Sequence, residues 1–331
     1  MAKTAKKGLF SSMTAVRLLL LLVFIVAIVV MDAITGWKMF SFSERGLNNG
    51  IYILRQCVFP VCVAWGMTFI FGSGLVDLSI GAQVALGANV GAILAVQAGW
   101  GYVGLIIAPL VVIVACELAV VLCSEVFKIP GWIAGLGCGL IFEAILAIWS
   151  ASASKSLGSS VINLPKELKV LGTWPWNVII MLVMFVIVYI LQNRTTIGVE
   201  LKAIGGDPAV ASAVGINRRK ALIVAIVIGA LCVAVGSICY ISYGGKVEGS
   251  TGLASLTTIF KALAIVMLAQ SLNSFVSEPV GVLFAGIFIM ALVDFMTKLK
   301  IEAGTLQEVV LGAIVVICGV LSRIGYKGVA K

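Results

Sequence analysis

The sequence has no histidine and few charged residues. Histidine is absent from all 331 residues, and Asp, Glu, Lys and Arg together make up 11% of the chain. The missing histidine excludes histidine-ligated metals and histidine proton relays. The charged fraction is far below the roughly 25% of soluble domains. A P-loop motif, with Gly-Lys followed by Ser or Thr, is also missing. An ATP-driven process would therefore need a separate ATPase subunit.

Apolar residues, by contrast, make up 61% of the sequence and are grouped into long runs. A helix needs about 20 such residues to cross a bilayer. We therefore expect an all-α polytopic membrane protein of about ten transmembrane helices, built as one domain over residues 1–331. The predicted runs are 18–35, 54–72, 81–98, 102–127, 132–150, 176–192, 220–242, 253–271, 280–297 and 304–322. No small-residue cleavage site follows the first run, so it is read as a retained helix.

The eight cysteines all fall inside or at the ends of these runs. Extracellular disulfides would lie in loops, so we expect these side chains to pack as small hydrophobes. The net charge of +9 is interpreted as membrane topology, because basic residues are concentrated in segments 1–17, 193–220 and 323–331. These three segments are predicted to be cytosolic, which places both termini inside the cell. Contact with nucleic acid is not expected.

The predicted cytosolic loop 193–220 contains the signals of one short helix. Asp207 is a good N-cap, Pro208 suits the first helical position, and Gly215 suits the C-terminal cap. The residues between them, 209–214, are small helix formers. A self-capped helix outside the bilayer predicts a docking element for a partner.

A second motif joins two apolar runs at residues 71–81. Gly74 and Gly81 free the backbone there, and broken helices often line cavities at membrane depth. Asp77 either caps the following helix with the help of Ser79 or contacts a solute, and capping is the commoner role. The candidate substrate path is completed on the following helix by Gln83 and Asn89.

Other polar residues lie within the predicted spans without forming a motif. They are Glu117, Glu125, Glu143, Lys261, Gln270, Asn273, Asp294 and Glu308. Carboxylates in such positions serve proton-coupled carriers, but packing or interfacial roles explain them equally well. Glu117 and Glu143 are candidate partners of Lys261. Trp65, Trp132 and Trp149 are candidates for stacking on a sugar, although tryptophan more often packs or anchors.

Three segments resemble bacterial ABC-importer permeases of the ribose/galactose/xylose (monosaccharide) class. Residues 74–81, Gly-Leu-Val-Asp-Leu-Ser-Ile-Gly, resemble that family's Gly-Ile-Asp-Leu-Ser-Val-Gly signature. Residues 129–137 resemble its Pro-x-Phe-Ile-x-Thr-Leu-Gly segment. Residues 194–216 resemble its cytoplasmic coupling segment, with Asp207 in place of an Asn. Residues 265–281 depart from the family, because its glycine-rich element is missing there.

The resemblance implies a type II importer permease with no catalytic or metal site of its own. Two permeases, identical or not, would form the pathway, with a substrate-binding protein outside and ATPase subunits that bind ATP and Mg inside. The missing glycines suggest a second, non-identical permease. The implied ATPase coupling residues are Gly205, Gly206, Asp207, Pro208, Ala209, Ala211, Ser212 and Gly215.

Two other classes of function remain open from the sequence. An ion-coupled secondary transporter would use Asp77, Glu143 or Asp294. An intramembrane enzyme is the weakest alternative, because the chain lacks histidine and paired carboxylates on one helix.

Overall fold

The computed structural model describes residues 25–26, 29–34, 36, 44–157, 162–247, 252–273, 276–301 and 306–326. Helices dominate these segments. The predicted cytosolic segment 1–17 and most of the first predicted run, 18–35, lie outside the described residues. The same holds for residues 327–331 of the predicted cytosolic tail.

Eleven α-helices follow Glu44 in the described residues. They are α1 (Glu44–Gly72), α2 (Ile80–Val96), α3 (Gly101–Phe127), α4 (Gly131–Leu157), α5 (Trp176–Arg194), α6 (Thr196–Gly206), α7 (Pro208–Ala213), α8 (Arg218–Gly244), α9 (Leu256–Leu272), α10 (Glu278–Lys298) and α11 (Leu306–Tyr326). Every predicted run after the first overlaps one of them. The loop 193–220 holds the expected helix as α7 and a second one, α6, which was not predicted.

Six of these helices are long and apolar enough to cross a membrane: α1, α3, α4, α5, α8 and α10. The apolar stretches of α2, α9 and α11 are shorter. A helix of 17 residues, such as α2 or α9, is about 25 Å long, which is less than the roughly 30 Å of a bilayer core. The fold is that of a multi-pass helical membrane protein, but the predicted count of about ten crossings is not confirmed.

Helix α1 lies at the centre of the bundle. Trp65, Met67, Phe69 and Ile70 on this helix are fully buried, and α1 packs against α8, α9 and α10. A Cβ at Gly66 would lie 2.6 Å from the carbonyl oxygen of Gly229 on α8, so the two backbones come very close. Small residues at such crossings are typical of membrane helices.

The expected interruption between residues 72 and 81 is confirmed. Helix α1 ends at Gly72, and α2 begins at Ile80. Gly74 has a φ of +88°, a conformation that glycine adopts without strain. A Cβ on Gly81 would collide with the carbonyl oxygen of Ser255, so this glycine permits α2 to touch the start of α9.

Short extended segments join the bundle at the end where α8 stops. Ile162–Asn163 and Lys246–Val247 form β1 and β2, which pair antiparallel. The 3-10 helix Lys166–Gly172 follows β1 and packs on α8. All eight cysteines are free, and seven of them are buried, as expected for small apolar side chains.

Candidate functional site

A cavity of about 460 Å³ opens among α1, α5, α8, α9, α10 and α11, and we name it the α1–α9 cavity. Its polar and aromatic lining comprises Arg55, Gln56, Phe59, Asn177, Tyr240, Tyr243, Thr257, Thr258, Phe260, Lys261, Gln307 and Glu308. The α1 residues of this lining precede Gly72 by 13 to 17 positions, roughly 20–25 Å along the helix. The cavity is therefore well separated from the end of the bundle that holds α6 and α7.

Aromatic rings form part of the wall of the α1–α9 cavity. The Phe59 and Tyr240 ring centroids are 4.9 Å apart, at an interplanar angle of 47°. The Arg55 guanidinium carbon lies 5.6 Å from the centroid of the Tyr243 ring, which is within cation–π range. The lining thus offers apolar faces beside hydrogen-bonding groups, the combination typical of small-molecule sites.

The predicted path residues Asp77, Ser79 and Gln83 lie in a buried hydrogen-bonded network instead. Asp77 accepts hydrogen bonds from the Ser79 backbone nitrogen at 2.7 Å and from the Ser79 hydroxyl at 2.8 Å. The Gln83 amide donates to Asp77 at 3.0 Å and to Glu117 on α3 at 2.6 Å. All four side chains are fully buried, and none lines the α1–α9 cavity. Asp77 therefore braces the turn that leads into α2.

The other predicted path residues have different surroundings. Asn89 is fully buried on α2, and both polar atoms of its side chain lack a hydrogen-bond partner among the residues that the structure describes. Gly81 lies in the contact between α2 and α9, whereas Gly74 lines a second cavity of about 390 Å³ near α6. The structure thus divides the predicted path between a packed helix interface and this second cavity. A role of these residues in the path stays a prediction.

The candidate ion-coupling carboxylates all have protein partners. Glu143 on α4 accepts hydrogen bonds from the backbone nitrogens of Leu253, at 2.7 Å, and Ser255, at 2.8 Å, just before α9. Asp294 forms an ion pair with Lys298 at 2.8 Å. Lys261 lines the α1–α9 cavity, so the suggested pairing of Lys261 with Glu117 or Glu143 is not found.

The three tryptophans considered for sugar stacking do not reach the cavity. Trp65 is fully buried, and its indole nitrogen donates to the carbonyl oxygen of Pro279 at 3.1 Å. Trp132 and Trp149 lie exposed on α4. These residues therefore pack the core or cover the surface. In the segments that the structure describes, no group of three or more acidic or cysteine side chains is arranged to hold a metal ion.

Helix α7 is capped as the sequence predicts. An Asp207 carboxylate oxygen accepts hydrogen bonds from the backbone nitrogens of Ala209, at 2.9 Å, and Val210, at 3.2 Å. At the other end, Gly215 has a φ of +84° and donates its N–H to the carbonyl oxygen of Ser212. Two end caps thus hold a helix of only six residues.

The two faces of α7 differ in exposure. Ala211 is buried against Ile204 of α6 and Ala221 of α8, so it attaches the helix to its own chain. This corrects the expectation that Ala211 faces a partner. The exposed face instead presents Val210 and Val214, which are 60% and 72% exposed. Ala209 and Ser212 are also exposed.

The predicted coupling glycines Gly205 and Gly206 end α6. A Cβ on Gly205 would collide with the carbonyl oxygen of Gly72, so α6 touches the end of α1 directly, whereas Gly206 has open space around it. The second cavity lies beside this contact, next to the ion pair between Arg218 and Glu125, whose length is 3.0 Å. The segment 205–215 is therefore in direct contact, through Gly205, with the end of the central helix α1.

Sequence reasoning missed most of the α1–α9 cavity. Lys261 gave a signal, as a cation inside an apolar helix. Arg55, Tyr240 and Tyr243 gave none, because they come from helices far apart in the chain and belong to no local motif.

The family described as "Branched-chain amino acid transport system / permease component" matches residues 49–319. Among curated relatives, the probable ABC transporter permease protein YphD of Escherichia coli is 27% identical over 85% of this chain and 84% of its own length. The fructose import permease protein FrcC of Rhizobium meliloti is 25% identical over 86% and 79%. The ribose import permease protein RbsC of Haemophilus influenzae is 24% identical over 92% and 93%. No solved structure matches.

Proposed function

We propose a transport function from the premise that this chain belongs to the branched-chain amino acid transport system / permease component family. It passes a small polar solute of the monosaccharide class across the inner membrane of a bacterium. The chain is a permease subunit of an ABC importer, and its relatives are named as an ABC transporter permease and as import permeases. The family is a transporter component and not an enzyme family. The ion-coupled alternative is not favoured.

The observation that carries the solute proposal is the lining of the α1–α9 cavity. Its volume of about 460 Å³ exceeds that of a single sugar ring and leaves room for water. Phe59 and Tyr240 offer ring faces for the apolar face of a sugar, and Asn177, Thr257 and Thr258 offer hydrogen bonds to hydroxyls. Relatives named for fructose and ribose import support the same class of solute.

Helix α7 is the proposed contact with the ATPase. Its exposed face, Val210 and Val214, is apolar and suits a groove on a partner protein. The caps at Asp207 and Gly215 keep so short a helix folded. Gly205 touches the end of α1, so a movement of α7 would be passed through α6 to the central helix.

The proposed complex contains this permease, a second permease, two ATPase subunits and a substrate-binding protein. ATP and Mg would be bound by the ATPase subunits. The second permease is proposed to differ from this chain, since residues 265–281 lack the expected glycine-rich element. Both termini and the loop 193–220 are proposed to be cytosolic, because their lysines and arginines face the cytosol under the positive-inside rule.

Purification of the intact complex from mild detergent tests this proposal. Native mass measurement should find this chain together with an ATPase and a different permease. The solute retained by the co-purified binding protein should be a monosaccharide. Two identical copies of this chain in an active complex would refute the heterodimer, and a retained amino acid would refute the solute class.

A further inference from the structure

The α1–α9 cavity contains two basic side chains for which the described part of the chain provides no acidic partner. Arg55 of α1 and Lys261 of α9 both line it and are both half-buried. In the described ranges neither forms an ion pair, and the Arg55 Nε atom is buried without a hydrogen-bond acceptor. The contact of Arg55 with the Tyr243 ring satisfies only the face of the guanidinium group. Two cations in one cavity thus have unused hydrogen-bonding capacity.

Partly desolvated cations without counter-charges are costly in a membrane protein. Removing an ammonium or guanidinium group from water costs free energy that an opposite charge or hydrogen-bond acceptors must offset. Lys298 and Arg218, which are exposed, nevertheless form ion pairs, with Asp294 and Glu125. Two half-buried cations in one cavity, neither of them paired in the described ranges, therefore point to a charge that arrives with a ligand.

The geometry and chemistry of the wall indicate what this ligand is. The guanidinium fork suits two oxygens of a carboxylate or a phosphate, and the lysine adds a point charge. Glu308 also lines the cavity, but it is exposed at the first turn of α11, so the half-buried charges are both positive. The remaining polar groups, among them Asn177 and Thr257, suit hydroxyls.

We infer that the α1–α9 cavity takes an anionic sugar, meaning a monosaccharide that carries one carboxylate or phosphate group. The anionic group binds between Arg55 and Lys261, and the sugar ring lies against Phe59 and Tyr240. This inference rests on the proposed function, and it narrows the solute class from monosaccharides to acidic ones. It departs from the neutral sugars named for the fructose and ribose relatives.

The test measures binding of matched sugars to the full chain in nanodiscs of zwitterionic lipid. Affinity is taken from the rise in unfolding temperature with ligand concentration. Galacturonate is compared with galactose, and ribose 5-phosphate with ribose. At least one anionic sugar should bind about tenfold more tightly than its neutral counterpart, as expected for a charge-assisted contact.

Three variants distinguish the effect of losing a positive charge in the cavity from the effect of misfolding. Lys261→Met should remove the preference for the anionic sugar, and Lys261→Arg should keep it, because the charge remains. Lys300→Met is the matched control, since Lys300 is exposed and does not line the cavity. It should retain the wild-type preference. If Lys261→Met does not fold, Arg55→Gln provides the same comparison.

Each result of these binding measurements either supports or overturns the inference of an anionic sugar. Equal affinity for neutral and anionic sugars, or a preference untouched by Lys261→Met and Arg55→Gln, overturns the inference and leaves the sugar permease standing. Binding of neither sugar contradicts both proposals. An anionic lipid headgroup is the other source of such a charge. Stabilisation by phosphatidylglycerol that depends on Lys261, without binding of an anionic sugar, assigns the site to lipid and overturns the inference.

Discussion

At the scale of single residues, buried polar groups hold the helix junctions of this protein together. Both carboxylate oxygens of Glu143 accept hydrogen bonds from backbone nitrogens just before α9. At the entry to α2, Asp77 accepts hydrogen bonds from the backbone nitrogen and the hydroxyl of Ser79. A carboxylate is expensive at membrane depth unless such donors surround it. Sequence reasoning identified these acids as unusual, and the structure gives them partners in the chain itself.

Glu143→Ala should destabilise the protein by about 3 kcal/mol, because two backbone N–H groups lose their charged acceptor in a dry environment. The measurement is the midpoint of unfolding in mixed micelles. Glu167→Ala serves as the control, since Glu167 is exposed on the 3-10 helix. Equal midpoints for the two variants would show that Glu143 does not organise the start of α9.

Adding one methyl group at either of two glycines in helix contacts should change the stability of the protein differently. Gly81→Ala would drive a Cβ into the Ser255 carbonyl oxygen and should cost about 2 kcal/mol through overpacking. Gly139→Ala places its Cβ 3.5 Å from Ser79, an ordinary contact, and should be neutral or stabilising. Thermal unfolding of both variants decides this. A stable Gly81→Ala protein would mean that α2 and α9 do not pack as described.

At the scale of elements, α6 and α7 form a unit that joins the exposed face of α7 to the end of α1. Gly198, Leu201 and Ile204 of α6 are buried, and their successive spacing of three is a helical signal that was not used in predicting this loop. The caps of α7 were read correctly, since capping depends on neighbouring residues in the chain. The sequence did not predict the burial of Ala211, because this burial comes from a tertiary contact with Ala221 on α8.

Val210→Asp should abolish solute-stimulated ATP hydrolysis in the assembled complex while the protein still folds. The substitution places a charge on the exposed apolar face of α7 and opposes docking in an apolar groove. ATPase activity with and without solute is the measurement. Val199→Asp is a matched control on α6, where Val199 is 67% exposed. Full stimulation in Val210→Asp would exclude this face as the contact with the ATPase.

At the scale of the whole molecule, the sequence predicted the membrane class and most helices but not the arrangement of the cavity. Apolar runs and caps are local, so they predict elements such as α3 and α8 within a few residues. The α1–α9 cavity draws Arg55, Tyr243, Lys261 and Glu308 from four helices, and the first and last of these residues are 253 positions apart. Only packing brings such residues together. Asp77, Ser79 and Gln83 were predicted to line a path, and the structure places their side chains in a packed network, so that role stays a prediction.

Labelling of single cysteines in a cysteine-free background should report the topology. A cysteine at Ala209 should react only after the membrane is permeabilised, whereas one at Lys166 should react from outside. The physical reason is the concentration of basic residues in the loop 193–220, which is retained in the cytosol. Reaction of the cysteine at position 209 in intact cells would contradict the proposed orientation.

The transport function is tested most directly by uptake of a labelled monosaccharide into proteoliposomes that contain this permease with its partner permease, ATPase and binding protein. Uptake should require ATP, stop when the ATPase is omitted, and fall severalfold in Lys261→Met. Ion gradients alone should drive none. Uptake that persists without the ATPase under a proton or sodium gradient would contradict the assignment as an ATP-driven importer.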